Sequence, residues 1–416
     1  MRRRANSQEG PTTKDSDDGL RVLTPSPART TREGPVSSRA WRAVSCLAIV
    51  LLLAYLAVLC FCASTTLQAE ALFLHRVSRV WPPCDLDQPE AGPAVAWLPR
   101  ASSLLQLAEG LPSTDAHRLP IGGEGGGGWV GLWHTRPTDP ACQPQPPAGG
   151  TWVLHLHGNG EARCWAKTAR KSALLAAPPF CAHVVSIDYR GFADTPSASA
   201  VPSAASLLAD ALAALEWVHR AAGGSASVVV YGHSLGSHVA LAAAAHHCGG
   251  GGDRGGRGGR CGASGGGGGG AGGGGGIDGL MLEGAFTSPA EVARSLVPAP
   301  LHAVLATPLR WLYTGELALD STRAALALSP ALPVFQCHGA RDATVPLRLA
   351  EALHRALEVG ARWRPLETVA GGGHDVLEEP QVLRALEVFW KRNGLSPTAR
   401  PISPEVPSNP ATSRSK

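Results

Sequence analysis

The sequence predicts an α/β protein in which helices cover both faces of a mostly parallel β-sheet, preceded by one membrane-spanning helix. Short apolar runs alternate with helical stretches, and one run leads directly into a Gly-x-Ser-x-Gly motif and an Ala-rich helix. Continuous apolar strands separated by helices are typical of a parallel sheet, because both faces of such strands are buried. The membrane helix is predicted by 27 consecutive residues without a charge, from Ala43 to Ala69.

The N-terminal part of the chain predicts a tail and an anchor. Residues 1–42 are rich in Ser, Thr, Pro and Arg, which predicts a disordered tail. Residues 43–66 are the predicted transmembrane anchor, because the uncharged stretch exceeds the roughly 20 residues that cross a hydrocarbon core. A buried core helix of this length would carry a polar face, and a cleaved signal peptide would have a shorter apolar part of about 7–15 residues. Both alternatives are therefore disfavoured.

The Arg residues around the anchor predict its orientation. The flank before the anchor carries four Arg and the flank after it carries two: Arg29, Arg32, Arg39 and Arg42, then Arg76 and Arg79. Because positive charge is retained on the cytosolic side, we expect a cytosolic N-terminus and a lumenal remainder, residues 70–416, at the endoplasmic reticulum. Seven Cys would then lie in an oxidising compartment, and the sequence leaves their pairing open.

The α/β domain is predicted to span residues 95–395, followed by a second disordered tail at residues 396–416. The predicted strands are residues 129–135, 151–156, 183–187, 227–231, 279–282 and 333–337. The clearest predicted helices are residues 205–222, 237–247 and 376–391.

Residues 249–276 hold 20 of the 50 Gly of the chain. Such a segment has little apolar surface to offset its ordering entropy, so we predict a flexible loop. Its three Arg would alternatively suit an RNA-tethering tail. A net charge of +4, from 37 basic and 33 acidic residues, gives no support for nucleic-acid binding, and no nucleic-acid partner is expected.

The strongest local signal is the sequence Gly-His-Ser-Leu-Gly at residues 232–236, which follows an apolar run and precedes an Ala-rich helix. This pattern places a Ser on a sharp strand-to-helix turn with its hydroxyl exposed above the sheet. Ser264 lies in a second Gly-x-Ser-x-Gly match, but neither a strand nor a helix flanks it. Context therefore makes Ser234 the predicted nucleophile.

A Ser hydroxyl needs a base, and the base needs a carboxylate to orient it. Asp342 follows the predicted strand 333–337, and the carboxyl ends of strands are where open α/β sheets build their sites. His374 follows three Gly on a predicted loop, where its ring can reach such a site. The order Ser, Asp, His along the chain is the one expected for this turn. Asp375 is poorly placed to orient the neighbouring ring, and we expect it to cap the next helix.

Acyl transfer also needs N–H donors for the oxyanion. We predict the backbone N–H groups of Leu235, directly after the nucleophile, and of Asn159, on the Gly-rich loop after the strand 151–156. A plain Gly-rich turn is the alternative at Asn159. The His and Cys residues near these elements lack the paired spacing of a metal site, so no metal and no cofactor are expected.

Several segments together carry a resemblance to a known family: Trp-His-Thr at 133–135, Leu-His-Gly-Asn-Gly at 156–160, Asp-Tyr-Arg-Gly-Phe at 188–192, the motif at 232–236, and Leu-Glu-Gly-Ala-Phe-Thr at 282–287. The chain resembles the membrane-anchored α/β-hydrolase-domain lipases that hydrolyse lysophosphatidylserine and monoacylglycerols. The resemblance implies the α/β-hydrolase fold, a triad at Ser234, Asp342 and His374, and a single N-terminal membrane span.

In that fold the segment at residues 287–332 commonly forms a cap. Its centre, residues 296–309, has no charged side chain, and Pro298, Pro300 and Pro308 would divide it into short helices. We predict that these pieces line an acyl pocket. The alternative is that they only pack on the sheet.

The expected function is a membrane-bound serine hydrolase that acts on lipid acyl esters, with the bilayer and its lipids as partners. An acyl-protein thioesterase with the same triad is the nearest alternative, which the predicted lumenal orientation disfavours. A catalytically inactive binding module is the alternative of a different class, and a missing triad residue would favour it.

Overall fold

A computed structural model of the chain describes residues 38–74, 113–121, 128–142, 150–195, 202–223, 226–248, 276–359 and 364–395. Four predicted features lie wholly or almost wholly outside these residues: the first tail, the second tail, Ser264 and the Gly-rich segment. The chain divides into two compact units, Met1–Tyr55 and Leu56–Lys416.

The first described element is the helix α1 (Ser38–Ala63). Its apolar stretch Trp41–Ala63 has 23 residues, which at 1.5 Å per residue extend about 35 Å and exceed the ~30 Å of a hydrocarbon core. The large apolar side chains at its centre are exposed, Leu51 and Leu53 among them. A helix that exposes apolar side chains in this way fits the predicted transmembrane helix, and no other helix within the described ranges has this length and composition.

The second unit contains one eight-stranded sheet in the order β1-β2-β4-β3-β5-β6-β7-β8. The strands are β1 (Thr114–Ile121), β2 (Gly128–Thr135), β3 (Thr151–Leu156), β4 (His183–Asp188), β5 (Ser227–His233), β6 (Gly279–Glu283), β7 (Val334–Gly339) and β8 (Leu366–Val369). β2 is antiparallel to both neighbours, and the six strands from β4 to β8 in the sheet are parallel. The predicted α/β-hydrolase fold with a mostly parallel sheet is confirmed.

The described helices of this unit are α2 (Thr65–Leu72), α3 (Ala166–Ala176), α4 (Ala204–Ala222), α5 (Leu235–Cys248), α6 (Pro289–Leu296), α7 (His302–Arg310), α8 (Ser321–Leu326), α9 (Leu347–Leu357) and α10 (Pro380–Arg392). The segment predicted as a cap contains α6, α7 and α8. Pro298 and Pro300 lie between α6 and α7, and Pro308 lies in the last turn of α7, so none of these helices exceeds nine residues.

The core has two parts because successive side chains of a strand point to opposite faces. Leu154 and Val230 belong to a cluster that packs with α4 and α5 on one face. Val153 and Val229, their neighbours in sequence, belong to a cluster that packs with α3 and α10 on the other. Both faces of the central strands are therefore buried, as their continuous apolar sequences predict.

Two strands, β1 and β8, were not predicted. β1 contains Pro120, and about half of β8 is only partly buried, so neither has a continuous apolar run. Both lie at the edges of the described sheet, where Pro is tolerated and only one side of the strand is paired with another described strand.

Candidate active site

Ser234 occupies the sharp turn between β5 and α5. Its φ is +52°, in the left-handed region, and its N–H donates to the carbonyl of Glu283 on the neighbouring β6 at 2.8 Å. A Cβ added to Gly236 would lie 2.0 Å from the carbonyl oxygen of Leu156, so only Gly fits beside this turn. The strand-turn-helix context predicted for the motif is thus present around Ser234.

Asp342 and His374 are brought together by the ends of β7 and β8. Nδ1 of His374 donates to Oδ2 of Asp342 at 2.6 Å, because a carboxylate can only accept. Oδ1 of the same carboxylate accepts from the N–H groups of Thr344 and Val345 at 2.8 Å and 2.9 Å. Burial raises the pKa of Asp342, but the hydrogen bond and charge of His374 and these N–H donors outweigh it, and the pKa lies below its usual value.

His338 supports the same carboxylate from the strand side. Its Nε2 lies 2.8 Å from the carbonyl oxygen of Val345 and 3.3 Å from Oδ2 of Asp342. Burial lowers the pKa of His338. His338 therefore supports the turn that carries Asp342.

Ser234 lies at the same end of the sheet as this pair. It follows His233, whose ring centroid is 5.0 Å from that of His374. Gly284, directly after β6, has φ of +61°. It lies against the ring of His374, because a Cβ added to it would be 3.0 Å from Cε1 of that ring. The three predicted triad residues therefore lie at one edge of the sheet, where β5, β6 and β7 end. Their catalytic roles stay a prediction.

The predicted oxyanion donors lie on two other elements at this edge. Leu235 is the first residue of α5, so its N–H has no partner within the helix. Asn159 lies in the turn directly after β3. Within the described part of the chain neither N–H has a hydrogen-bond acceptor. Their role also stays a prediction.

A buried charge network beneath His374 was missed by sequence reasoning. Oε1 of Glu283 accepts from the N–H groups of Val376 and Leu377, at 2.6 Å and 2.8 Å, just after His374. Its Oε2 lies 2.8 Å from Nζ of Lys171, which also bonds Oδ1 of Asp375 at 2.6 Å. The only sequence signal for it was Glu283 directly after the predicted strand 279–282, because no bounds were predicted for the helix α3 that carries Lys171.

The charges in this network stabilise one another. Burial raises the pKa of Glu283, but the ammonium of Lys171 outweighs it and holds that pKa well below its usual value. Burial lowers the pKa of Lys171, and the carboxylates of Glu283 and Asp375 reverse this and raise it. The expectation that Asp375 caps the next helix was wrong, because α10 begins at Pro380 and the carboxylate binds Lys171.

Two groups of side chains in the described residues have spacings that suit a metal ion. One is His233, Glu283 and Asp375, where the ammonium of Lys171 already lies between the two carboxylates. The other group, Asp115, His117 and His134, lies on β1 and β2, and its Asp115 is paired with Arg136.

Residues 153–386 match the Alpha/beta hydrolase family. This match covers more than half of the chain, and the chain belongs to that family. The matched residues begin in β3 and end in α10, so they include Ser234, Asp342 and His374.

The chain is similar to three curated proteins in particular. Lysophosphatidylserine lipase ABHD12 of Gallus gallus is 29% identical over 287 residues, which are 62% of this chain and 66% of that protein. Its Danio rerio counterpart is 25% identical over 238 residues, 54% of each chain. Protein ABHD12B of Homo sapiens is 33% identical over 128 residues, 28% of this chain and 33% of that protein. The chain thus spans one third to two thirds of the length of these relatives.

Proposed function

We propose that the chain is a single-pass, membrane-anchored serine hydrolase that cleaves the acyl esters of lysophospholipids, lysophosphatidylserine among them, and of monoacylglycerols. The observation that carries the proposal is the 2.6 Å contact between His374 and Asp342 beside the strained turn at Ser234. The similarity to proteins named lysophosphatidylserine lipase supports the substrate class.

In the proposed reaction the hydroxyl of Ser234 attacks the ester carbonyl carbon, and its proton passes to Nε2 of His374. Asp342 holds the ring in the tautomer that leaves Nε2 as the acceptor and stabilises the imidazolium. The N–H groups of Leu235 and Asn159 bind the oxyanion. Collapse breaks the carbon–oxygen ester bond, and the leaving alcohol takes the proton from His374. Water then attacks the acyl-enzyme by the same route and releases the fatty acid.

The apolar surface of the cap segment supports a lipid substrate. Leu296, Leu301 and Val304 are 63%, 48% and 60% exposed, on and between two short helices. Exposed apolar side chains grouped in one segment are typical of contact with lipid or another partner. An anchor of this kind tethers the catalytic unit to a bilayer, where acyl chains are concentrated.

Labelling with a fluorophosphonate tests the nucleophile. Ser234→Ala should abolish labelling, because the reagent forms its bond with the activated hydroxyl. Ser264→Ala is the matched control, since it removes the Ser of the second Gly-x-Ser-x-Gly match, and it should label like the wild type. Labelling that persists in Ser234→Ala would reject the assignment.

A series of monoacylglycerols and lysophospholipids of increasing chain length tests the substrate. Each methylene buried in an acyl pocket contributes about 0.8 kcal/mol, so kcat/KM should rise with chain length until the pocket is filled. A flat profile, or faster turnover of acetyl esters, would count against a lipase.

A lumenal orientation of the catalytic unit is part of the proposal. It is supported by the disulfide between Cys142 and Cys181, because disulfides persist in oxidising compartments. The same observation disfavours the thioesterase alternative, whose acylated protein substrates face the cytosol.

A further inference from the structure

The residues that follow the transmembrane helix are packed into the catalytic unit. We call residues 64–74, which include α2, the juxtamembrane segment. Phe73 is fully buried and Ala69 nearly so, both in the larger core cluster. Nε2 of Gln68 donates to the carbonyl of Cys62 at 2.7 Å, and its Oε1 accepts from the N–H of Tyr313 at 2.5 Å. The segment is therefore a folded part of the second unit.

The side chain of Asn159 joins this segment to the loop after β3. Its Oδ1 accepts from the N–H of Leu74 at 2.8 Å, and its Nδ2 donates to the carbonyl of Leu72. A carboxamide can both donate and accept, so it bonds both backbone groups at once. The two segments also touch at Gly160, where an added Cβ would lie 3.2 Å from Cβ of Leu74.

The backbone of Asn159 needs such support because Gly lies on each side of it. Gly158 and Gly160 leave the chain free to rotate, and Gly160 already has φ of +70°. The side-chain hydrogen bonds to Leu72 and Leu74 restrict this freedom. They fix the direction of the Asn159 N–H, which the proposed function assigns to the oxyanion.

Resting on that proposed function, we propose that the juxtamembrane segment positions the oxyanion loop, with the Asn159 side chain as the positioning residue. The segment that leaves the membrane helix thereby helps to set the rate of acyl transfer. Displacing an oxyanion donor weakens binding of the transition state more than binding of the acyl chain. Breaking the link therefore lowers kcat and leaves KM nearly unchanged.

The full-length protein in detergent micelles, acting on a long-chain monoacylglycerol, provides the test. Asn159→Ala retains the backbone N–H and removes only the link, and we expect kcat to fall about tenfold with KM changed less than twofold. Leu74→Pro removes the N–H that bonds Oδ1, and kcat should fall by a similar factor relative to Leu74→Ala, which retains it. Phe73, with φ of −96° and ψ of 92°, lies outside the α region that is disfavoured for a residue before Pro.

The double variant Asn159→Ala/Leu74→Pro shows whether the two changes act through the same contact or through two independent effects. Because both changes break the same contact, the double variant should be no slower than the slower single variant. A multiplicative loss of about a hundredfold would overturn the proposal, and so would wild-type kcat in both single variants. Leu67→Ala, at an exposed position of α2, is the control and should retain kcat.

Thermal unfolding shows whether Leu74→Pro still folds. If Leu74→Pro does not fold, Asn159→Asp tests the proposal instead. It retains the acceptor for the N–H of Leu74 but cannot donate to the carbonyl of Leu72. A fall in kcat supports the proposal, and wild-type kcat overturns it. Wild-type turnover in Ser234→Ala would instead reject the proposed function itself. Loss of turnover in Ser234→Ala with full kcat in Asn159→Ala rejects only the positioning role.

Discussion

Ser234 adopts a backbone conformation that costs an L-residue of the order of 1–2 kcal/mol. The cost is offset by the hydrogen bond from its N–H to Glu283 and by burial of the strands on either side. A strained residue held by rigid neighbours is typical of a functional turn. Here the strained turn lies at the edge of the sheet where Asp342 and His374 are hydrogen-bonded to each other.

His155 shows how burial of a single residue sets a pH dependence. Burial, followed by the charge of Lys171, lowers the pKa of His155 to about 3. The ring stacks on Tyr231 at 4.6 Å and bonds Oγ of Ser172 at 3.0 Å, so the neutral form is accommodated in the core.

The pKa of His155 predicts a loss of stability in mild acid. Because the folded-state pKa lies below the ordinary 6.5, the unfolded chain binds more protons between pH 6.5 and about 3, and stability falls as pH falls through that window. The linkage amounts to about 2 kcal/mol between pH 7 and pH 5. Urea unfolding at both pH values should show a smaller difference for His155→Gln than for the wild type. His246→Gln, at an exposed position, is the control, and an equal difference in all three proteins would contradict the prediction.

At the scale of elements, the carboxyl end of β6 connects three parts of the site. Glu283 accepts the N–H of Ser234 through its backbone carbonyl and two N–H groups of the His374 loop through its side chain. The same side chain reaches α3 through Lys171. One residue at a strand end thus fixes the Ser234 turn relative to the loop that carries His374.

Removing the ammonium from this network should be strongly destabilising. Lys171→Met removes the ammonium that Glu283 and Asp375 share, and breaking a buried pair in this way costs about 3–5 kcal/mol. Lys391→Met is the control, because it removes an exposed ion pair with Glu387 worth less than ~1 kcal/mol. Urea unfolding measures both. If Lys171→Met lowers the free energy of unfolding by less than ~1 kcal/mol, the ammonium of Lys171 does not stabilise the two carboxylates.

At the scale of the whole molecule, the Cys142–Cys181 disulfide and the anchor make a joint prediction about topology. Protease added to sealed microsomes should remove about the first 40 residues and spare residues 70–416, because Arg is concentrated before the anchor. On a non-reducing gel the protected fragment should migrate differently from its reduced form, and Cys142→Ser should change the non-reduced migration. Digestion of the catalytic unit would place it in the cytosol and favour the thioesterase alternative.

The sequence by itself determined the central strands, the long apolar N-terminal helix and the strand-turn-helix around Ser234. Each of these features depends on residues that are neighbours in the sequence. A continuous apolar run predicts a strand buried on both faces, and a long uncharged run predicts a membrane span. Gly236 is required at its position because an added Cβ would lie 2.0 Å from a backbone oxygen. Asp342 and His374 were predicted from chain order and strand ends, which a fixed topology brings to one edge of the sheet.

Only the tertiary structure decided the contacts between elements that are distant in sequence. Lys171 meets Glu283 across 112 residues and Asn159 meets Leu72 across 87, and neither pair has a spacing that a local pattern can reveal. The edge strands β1 and β8 were also decided there, because their stability comes from a neighbouring strand and not from their own apolar surface. Side-chain charge and hydrogen bonding act through space, so the residues that hold this site together emerge only once the sheet has brought them into contact.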